Sequence, residues 1–380
     1  MMSKLESLIA KTKEGKNSRF TLFEATISPG ETASLGLPLP EMLGYAPLYM
    51  PVKVINGKQT GPTVLIFATM HGDEFNGMEI LKQVVGMPLL EKLHGTLIIV
   101  PVLNVFGMLN RTSTLPDGNT LENNFPGSPE GNYTQRTANL FYENLFTRCD
   151  VCIELCSGQM NHNFLPHTRA DFSTDGNREL AQSFPVSVAV DMAPTDGSLQ
   201  ACAKEAGIPM LRYRAGEAMR FNPHAIRLGK RGIFGMLRRL EMLPESEKSR
   251  VKKAHTPIGS ESSDWVHATK SGIAHPAVRL GDRVNTGDIL ATISEPLGSF
   301  QEVRVKSPVD GVIVGANDMP LVFEGDYLFR IASFKELDEV VDRLQEWAGE
   351  LPISAGEAST SSAGDTTRES FGEVSEKPTS

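Results

Sequence analysis

One short stretch constrains the fold of this chain more than any other: a buried strand that breaks into a chemically active turn. Residues 63–70 are apolar and rich in β-branched side chains, which is typical of a strand covered on both faces. Apolar residues recur at helical spacing over 77–85. The turn between them carries His71, Asp73 and Glu74. This order predicts an α/β domain that binds its ligand at the carboxyl end of the strand.

The turn offers an imidazole and a carboxylate at short spacing. His71 and Glu74 stand three positions apart. Both groups are donors that a catalytic zinc ion takes when it keeps one position open for water. The pair alone is a weak signal, because acidic residues also cap helices and histidines also pack in cores. Two interpretations stay open at this point: part of a metal site, or a helix cap beside a buried histidine.

The same strand and helix pattern continues along the chain to about residue 243. A strand near 149–158 alternates so that Cys152, Glu154 and Cys156 share one face. The irregular stretch 106–127 is long enough to predict a binding loop or a linker. The other predicted elements are strands at 20–27, 48–54, 96–102 and 210–213 and helices at 134–146, 201–206 and 225–243.

The chain changes character near residue 260. Short β-branched segments alternate with glycine-containing turns, which predicts a small all-β unit of hairpins. A final amphipathic helix follows, and the tail has too little apolar content to fold. The predicted units are an N-terminal arm (1–19), an α/β domain (20–258), a β domain (259–333), a C-terminal helix (334–350) and a disordered tail (351–380).

Composition excludes several classes of protein. A chain of 380 residues is too long for one ordinary core, so we expect two domains with tails. The net charge of −9, without a dense Lys/Arg stripe, argues against nucleic-acid binding. Four cysteines do not make a disulfide framework. The polar, lysine-rich start and the lack of a long apolar run indicate neither a signal peptide nor a membrane span, so we expect a cytoplasmic protein.

Several motifs together carry a resemblance to a known family. They are the HGDE turn, PVLNVFG at 101–107, FPGS at 125–128, the strand ending at Cys156, YRAGEAMRF at 213–221, and the glycine-rich β segment. In this order, over residues 20–332, the chain resembles the succinylglutamate desuccinylase/aspartoacylase family of zinc hydrolases. The resemblance implies a three-layer α/β/α carboxypeptidase-like domain with a mixed sheet. A small C-terminal all-β domain similar to biotinyl/lipoyl modules follows it.

The resemblance also implies a chemistry. Such enzymes hold one zinc ion and hydrolyse the amide of a small N-acylated amino acid. The metal polarises the acyl carbonyl, and a glutamate moves a proton from water to the leaving amine. His71 and Glu74 match the first two zinc ligands. The third ligand, normally histidine, corresponds to Cys156, and a thiolate is still an acceptable zinc donor.

Other positions depart from the family pattern. The loop asparagine and arginine that hold the substrate carboxylate in relatives correspond here to Glu122 and Asn123. The catalytic glutamate corresponds to Arg214, and arginine does not act as a base at neutral pH. We therefore weigh an ion pair between Glu122 and Arg214 against an arrangement in which both point to solvent. Glu217 is the nearest substitute for the lost base.

Three retained residues are candidates for contact with a substrate. Arg169 and His167 either meet an anionic substrate or brace their loop by hydrogen bonds. Arg220 lies in the same motif as Arg214 and is the third candidate. The lost arginine fork implies a substrate without a free carboxylate at that position, or one bound through Arg214.

Three functional hypotheses follow. The first is a zinc amidohydrolase with an altered site, acting on a small N-acylated amine or amino-acid-like substrate. The second is a catalytically inactive homologue that serves as a metal-binding or scaffold module. The third is acyl transfer by Cys156 activated by His71 without a metal. In each case the β domain is expected to cap the pocket or to form a contact in a homo-oligomer.

Overall fold

The computed structural model describes residues 3–10, 12, 15–41, 47–245, 257–295 and 302–348. The predicted disordered tail at 351–380 lies outside these residues. The elements of the first part are α1 (Lys4–Ala10), β1 (Phe20–Leu22), β2 (Ala25–Ile27), β3 (Thr32–Pro38), β4 (Tyr49–Asn56), β5 (Gln59–Ala68), α2 (Phe75–Val85), β6 (His94–Val100), α3 (Val105–Asn110), α4 (Tyr133–Asn144), β7 (Val151–Cys156), β8 (His162–Ala170), α5 (Asn177–Ala181), β9 (Val188–Asp191), α6 (Leu199–Ala206), β10 (Met210–Gly216) and α7 (Pro223–Arg239).

Most of these strands build one large mixed sheet. Its main path runs β10–β7–β5–β6 through the centre, with β4 and β3 on one side and β8 on the other. The central pairs are parallel, whereas β8 runs antiparallel to β10 and β4 runs antiparallel to β6. Side chains of β5 alternate between two separate apolar cores, with Ile66 in one and Phe67 in the other. Helices α2 and α7 cover the first face and α4 and α6 the second, which confirms the expected three-layer α/β/α domain.

The turn after β5 is held tightly against the neighbouring loop. Thr69 adopts a positive φ of 57°, and its hydroxyl donates to the carbonyl oxygens of Glu74 and Pro101. Gly72 packs so closely that an added Cβ would lie 1.9 Å from the carbonyl carbon of Gly107. The turn therefore requires glycine at position 72. This tightly held turn fixes the directions of the side chains between β5 and α2.

Helix α3 overlaps the start of the stretch that the sequence predicts to be irregular. Asn104 caps this helix, because its side-chain oxygen accepts a hydrogen bond of 2.7 Å from the Gly107 amide. The expectation of an irregular segment from 106 was therefore wrong for the first residues of 106–127. The sequence signal was weak since α3 spans only six residues. The remaining loop, which carries Glu122, stays irregular as predicted.

The pairing of the central strands aligns polar residues of neighbouring strands in rows across the sheet. Strand β7 pairs with β10, and β10 pairs with β8. One row consists of Glu154, Arg212 and Arg169. The next row toward the carboxyl edge of β7 and β10 consists of Cys156, Arg214 and His167. Neighbouring residues in one row of a sheet face the same side, so the two rows form a compact polar surface.

The C-terminal part is an all-β unit followed by a helix. Its elements are β11 (Ile258–Gly259), β12 (Ser262–His267), β13 (Gly272–Pro276), β14 (Arg283–Val284), β15 (Ile289–Ser294), β16 (Val303–Lys306), β17 (Gly311–Asn317), β18 (Leu321–Val322), β19 (Tyr327–Ser333) and α8 (Leu337–Ala348). Strands β16, β15, β13 and β18 form a separate antiparallel sheet. This arrangement confirms the expected small all-β domain, which has an apolar core of its own.

The β domain is joined to the α/β domain through shared strands. Strand β17 pairs antiparallel with β8, so the large sheet continues into β19 and β12. Phe164 on β8 packs edge-on against Trp265 on β12, with ring centroids 5.8 Å apart. The β domain is thus joined edge to edge with β8, the strand that bears Arg169 and His167. No helix in the described parts of the chain combines the length and apolarity needed to cross a membrane.

Candidate functional site

The carboxyl ends of three parallel strands meet at one edge of the sheet. His71 and Glu74 follow β5, Cys156 ends β7, and Arg214 lies near the end of β10. His71, Glu74 and Cys156 are all buried. The structure thus places these four residues at the edge of the sheet where ligands bind in α/β folds.

His71 lies between two carboxylates. Its Nδ1 is 3.5 Å from Oε1 of Glu74, and its Nε2 is 3.5 Å from Oε2 of Glu122. Burial lowers the pKa of His71, but the charge of Glu74 and the contacts with Glu122 outweigh burial and raise the pKa to about 10. The imidazole is therefore held in an ion-paired environment on both ring nitrogens.

The ion pairs continue from Glu122 into the sheet. Oε1 of Glu122 accepts a hydrogen bond of 3.2 Å from Nη1 of Arg212. Nε of Arg212 donates to Oε2 of Glu154 at 2.5 Å. The contact with His71, together with the charge of Arg212, lowers the pKa of Glu122. Charges alternate in sign along Glu74, His71, Glu122, Arg212 and Glu154, a set that we call the charge chain.

Arg214 is held away from the charge chain. Its Nε donates to the carbonyl oxygen of Ser157 at 3.2 Å, and its guanidinium lies 4.1 Å from the centroid of the Phe164 ring. Among the described residues, the ion pairs of Glu122 are with His71 and Arg212. Neither arrangement weighed from the sequence is found: Glu122 does not pair with Arg214, and both side chains have protein partners instead of pointing to solvent. Glu122 pairs instead with Arg212, whose row of residues lies further from the carboxyl edge than that of Arg214. A cation–π contact with Phe164 holds the Arg214 side chain.

Comparisons with known proteins bear on the family. Residues 60–240 match the model of the succinylglutamate desuccinylase/aspartoacylase catalytic domain. The chain belongs to the succinylglutamate desuccinylase/aspartoacylase family. Among curated proteins, the N-alpha-acetyl-L-2,4-diaminobutyric acid deacetylase of Halomonas elongata is 25% identical over 307 residues, which cover 77% of this chain and 88% of that protein.

Solved structures of the family share the fold. The product-bound ectoine utilization protein EutE (DoeB) from Ruegeria pomeroyi matches with a TM-score of 0.72 and 22% identity, over 84% of this chain and 100% of that one. A succinylglutamate desuccinylase/aspartoacylase from Rhodobacter sphaeroides matches with a TM-score of 0.70 and 22% identity, over 80% and 96% of the two chains. At this level of identity the likeness shows the fold alone.

The zinc site that the desuccinylase/aspartoacylase resemblance implies is incomplete in this chain. Nδ1 of His71 and Oε1 of Glu74 are close enough to share one ion, and Oε2 of Glu74 is buried without a hydrogen-bond partner. However, the thiol of Cys156 donates to the carbonyl oxygen of Tyr213 at 3.5 Å. Throughout the described ranges, no group of three or more His, Cys, Asp or Glu residues is placed to hold a metal ion.

Cys156 therefore does not complete a set of three donors with His71 and Glu74. A catalytic zinc ion takes three protein ligands, so the residues as arranged do not fit it. Burial and the nearby carboxylates of Glu74 and Glu154 raise the pKa of the Cys156 thiol. A protonated thiol is also a poor nucleophile, which argues against acyl transfer by Cys156.

The other candidate residues occupy different surroundings. Glu217 pairs with Arg220, with 3.0 Å between Oε1 and Nε, and 78% of the Arg220 side chain is exposed. Asn123 is exposed on its loop. His167 is buried, and its Nδ1 lies 2.7 Å from the carbonyl oxygen of Leu165. Burial lowers the pKa of His167 to about 3, and the nearby arginines reinforce the shift, so the ring is neutral and braces β8.

The two residues at the inner end of the charge chain were not recognised as site residues from the sequence. Arg212 and Glu154 lie opposite each other on β10 and β7. Gln200, on α6, adds a hydrogen bond of 3.0 Å from Nε2 to Oε2 of Glu154. The sequence did contain a signal for these two residues. In an alternating strand, Arg212 lies on the same face as Arg214, and Glu154 lies on the same face as Cys156.

Proposed function

We propose that this chain binds a small acylated amine or amino-acid-like molecule at the carboxyl edge of its sheet without hydrolysing it through a zinc ion. The observation that supports this proposal is the charge chain. His71 occupies the position of the family's first zinc ligand. Ion pairs through Glu122 and Arg212 link it to the buried carboxylate of Glu154 in the sheet. In this arrangement both ring nitrogens of His71 face carboxylates, which leaves neither nitrogen free to bind a metal ion without breaking an ion pair.

The base that hydrolysis requires is also missing. At the position of the family's catalytic glutamate, Arg214 donates to Ser157 and lies on Phe164. Losing a general base typically costs about 10²- to 10⁴-fold in rate. The nearest carboxylate in the same motif, Glu217, is paired with Arg220. Among the described residues of this motif, no unpaired carboxylate stands in for the lost base.

Unpaired polar atoms support binding of an amide. Oε2 of Glu74 and Oγ of Ser157 are buried and have no hydrogen-bond partner. Buried polar atoms are normally satisfied, so each is ready to bind a ligand group. Glu74 accepts from an amide N–H, and Ser157 donates to an acyl oxygen. The curated relative's name specifies an N-acetylated amino acid, and we carry that ligand class over to this chain.

The experiment uses the full chain and a panel of N-acyl amino acids and the matching amides. Calorimetric titration measures binding, and an amine-release assay measures hydrolysis in the same samples. We expect binding without release of amine. Ser157→Ala should weaken binding about 5-fold, because one hydrogen bond is lost. Absence of binding across the panel would contradict the proposal.

A second candidate is deacylation, as in the curated relative. The short separation between His71 and Glu74 favours it, since the first half of a metal site is kept. Release of amine by the wild type in the same panel would establish this activity. The homo-oligomer and the cytoplasmic location stay predictions.

A further inference from the structure

A small cavity opens beside the charge chain, on the side of β8. Its volume is about 30 Å³. About 10–15 Å³ of such space holds one water molecule, so the cavity has room for roughly two water-sized groups. The charged side chains that line it are Glu122, Arg169, Asp171 and Arg212, and the neutral polar ones are Thr195, Ser198 and Gln200.

The charges around this cavity are paired, with one exception. Arg212 is neutralised by Glu122 and Glu154. Asp171 pairs with Lys204, with 2.7 Å between Oδ2 and Nζ. Within the described part of the chain, Arg169 forms no ion pair with a carboxylate.

Arg169 is also surrounded by like charges. It is the register partner of Arg212 on the adjacent strand. Burial lowers its pKa, and Arg212, Arg330 and Arg214 lower it further. A largely buried guanidinium without a carboxylate is costly, and an anion that enters the cavity would offset this cost.

We propose that Arg169 binds a carboxylate group of the ligand in this cavity. The identity of the whole ligand rests on the proposed function above, but the cavity can be tested without it. A carboxylate has two oxygens in one plane, which matches both the cavity size and the guanidinium fork. Phosphate carries more oxygens and more charge, and the neighbouring Glu122 and Asp171 disfavour it.

The proposed carboxylate site on β8 differs from the loop position at which the family pattern places the residues that hold the substrate carboxylate. Asn123 of that loop is exposed and supplies no cation. Arg169 lies instead on β8, beside Arg212, and β10 separates β8 from β7, the strand that ends just before Ser157. A ligand whose amide meets Glu74 and Ser157 therefore extends its carboxylate toward β8.

Thermal unfolding of the full chain tests the cavity directly. The probes are sodium acetate and its neutral isostere acetamide, compared at constant ionic strength set with sodium chloride and at pH 7.5. The proteins are the wild type, Arg169→Gln, Arg169→Lys, and Arg239→Gln, which removes an exposed arginine on α7. A ligand that binds only the folded state raises the unfolding midpoint.

We expect acetate to raise the midpoint of the wild type and of Arg239→Gln by about 2–4 °C, and acetamide to leave it unchanged. Arg169→Lys should keep a smaller rise, and Arg169→Gln none. Because Arg169→Gln removes an unpaired buried charge, it should fold at least as stably as the wild type without acetate. Equal shifts in the wild type and Arg169→Gln, or no shift in either, would overturn the proposal.

The outcomes separate the two proposals. An acetate shift that depends on Arg169, with no binding of any N-acyl compound, would reject the proposed function and keep the carboxylate site. Binding of N-acetylglycine and N-acetylglycinamide with equal affinity, and no acetate shift, would keep the function and reject the site.

Discussion

Arg212 and Glu154 form a buried ion pair across two neighbouring parallel strands. Nε of Arg212 donates to Oε2 of Glu154 at 2.5 Å, and the two residues are register partners. The side chains are only 8% and 2% exposed. The pair links the sheet interior to Glu122 at the carboxyl edge. The pair within the sheet therefore anchors the loop residue Glu122 at the site.

Arg212→Met should be strongly destabilising. The substitution keeps most of the side-chain volume but leaves Glu154 buried without its cation. Removing one partner of a buried pair typically costs about 3–5 kcal/mol. The free energy of unfolding in urea measures this loss, and a loss below about 1 kcal/mol would contradict the role of the pair.

The double variant Arg212→Met/Glu154→Leu is the matched control. It removes both charges, so no buried carboxylate is left alone, and replacing a whole pair by apolar groups is often neutral. We expect it to recover most of the stability that Arg212→Met loses.

Arg214→Glu should not create hydrolysis on its own. The variant restores the carboxylate at the family's catalytic position, but Cys156 still does not complete a set of three metal donors. Amine release from N-acyl amino acids should stay at background. The double variant Cys156→His/Arg214→Glu supplies both missing groups and is the one in which activity is expected. Activity of Arg214→Glu alone would show that the wild-type donor set already suffices.

His167 should make the protein sensitive to acid. Burial and the charges of Arg214, Arg330 and Arg169 lower its pKa from 6.5 to about 3, although its contact with the Leu165 carbonyl opposes the shift. Between these values the unfolded chain binds one more proton than the folded chain. Stability contributed by neutral His167 is therefore full above pH 6.5 and is lost as the pH falls toward 3.

The variant His167→Asn isolates this contribution. The free energy of unfolding should fall less between pH 7 and pH 5 in the variant than in the wild type, by about 2 kcal/mol. Urea unfolding at both pH values gives the difference. Parallel pH dependence of the two proteins would indicate that folding does not lower the pKa of His167.

Gly72→Ala should disrupt the turn before α2. An added Cβ would lie 1.9 Å from the Gly107 carbonyl carbon and 2.2 Å from the Met108 nitrogen, so backbone has to move. We expect a loss of at least about 3 kcal/mol in the free energy of unfolding. Gly86→Ala is the control, because the nearest atom would be 3.7 Å away. Similar values for the two variants would contradict the close approach.

The sequence predicted the layers of the fold well because they depend on local patterns. The apolar, β-branched run in β5 and the helical spacing in α2 are properties of contiguous residues. The glycine-punctuated segments after 260 likewise predicted the β domain. Short α3 was missed since its stability comes from the Asn104 cap and its packing rather than from periodicity.

The pairing of charges within the site could not be predicted in the same way. Arg212 and Arg214 alternate onto one face, but the family motif marked only Arg214, so the sequence indicated only Arg214 as a partner for Glu122. The choice depends on Phe164, which comes from β8 and holds Arg214 by its ring. It also depends on Glu154, which forms an ion pair with Arg212 within the sheet. Both contacts join residues that are distant in sequence.

Zinc stoichiometry is the most direct test of the central claim that the donors at the carboxyl edge are committed to one another. Elemental analysis of the full chain and of Cys156→Ser, each dialysed against the same zinc-buffered solution, gives the number of ions per chain. We predict far less than one zinc ion per chain in both proteins. One tightly bound zinc ion per wild-type chain that is lost in Cys156→Ser would contradict the account.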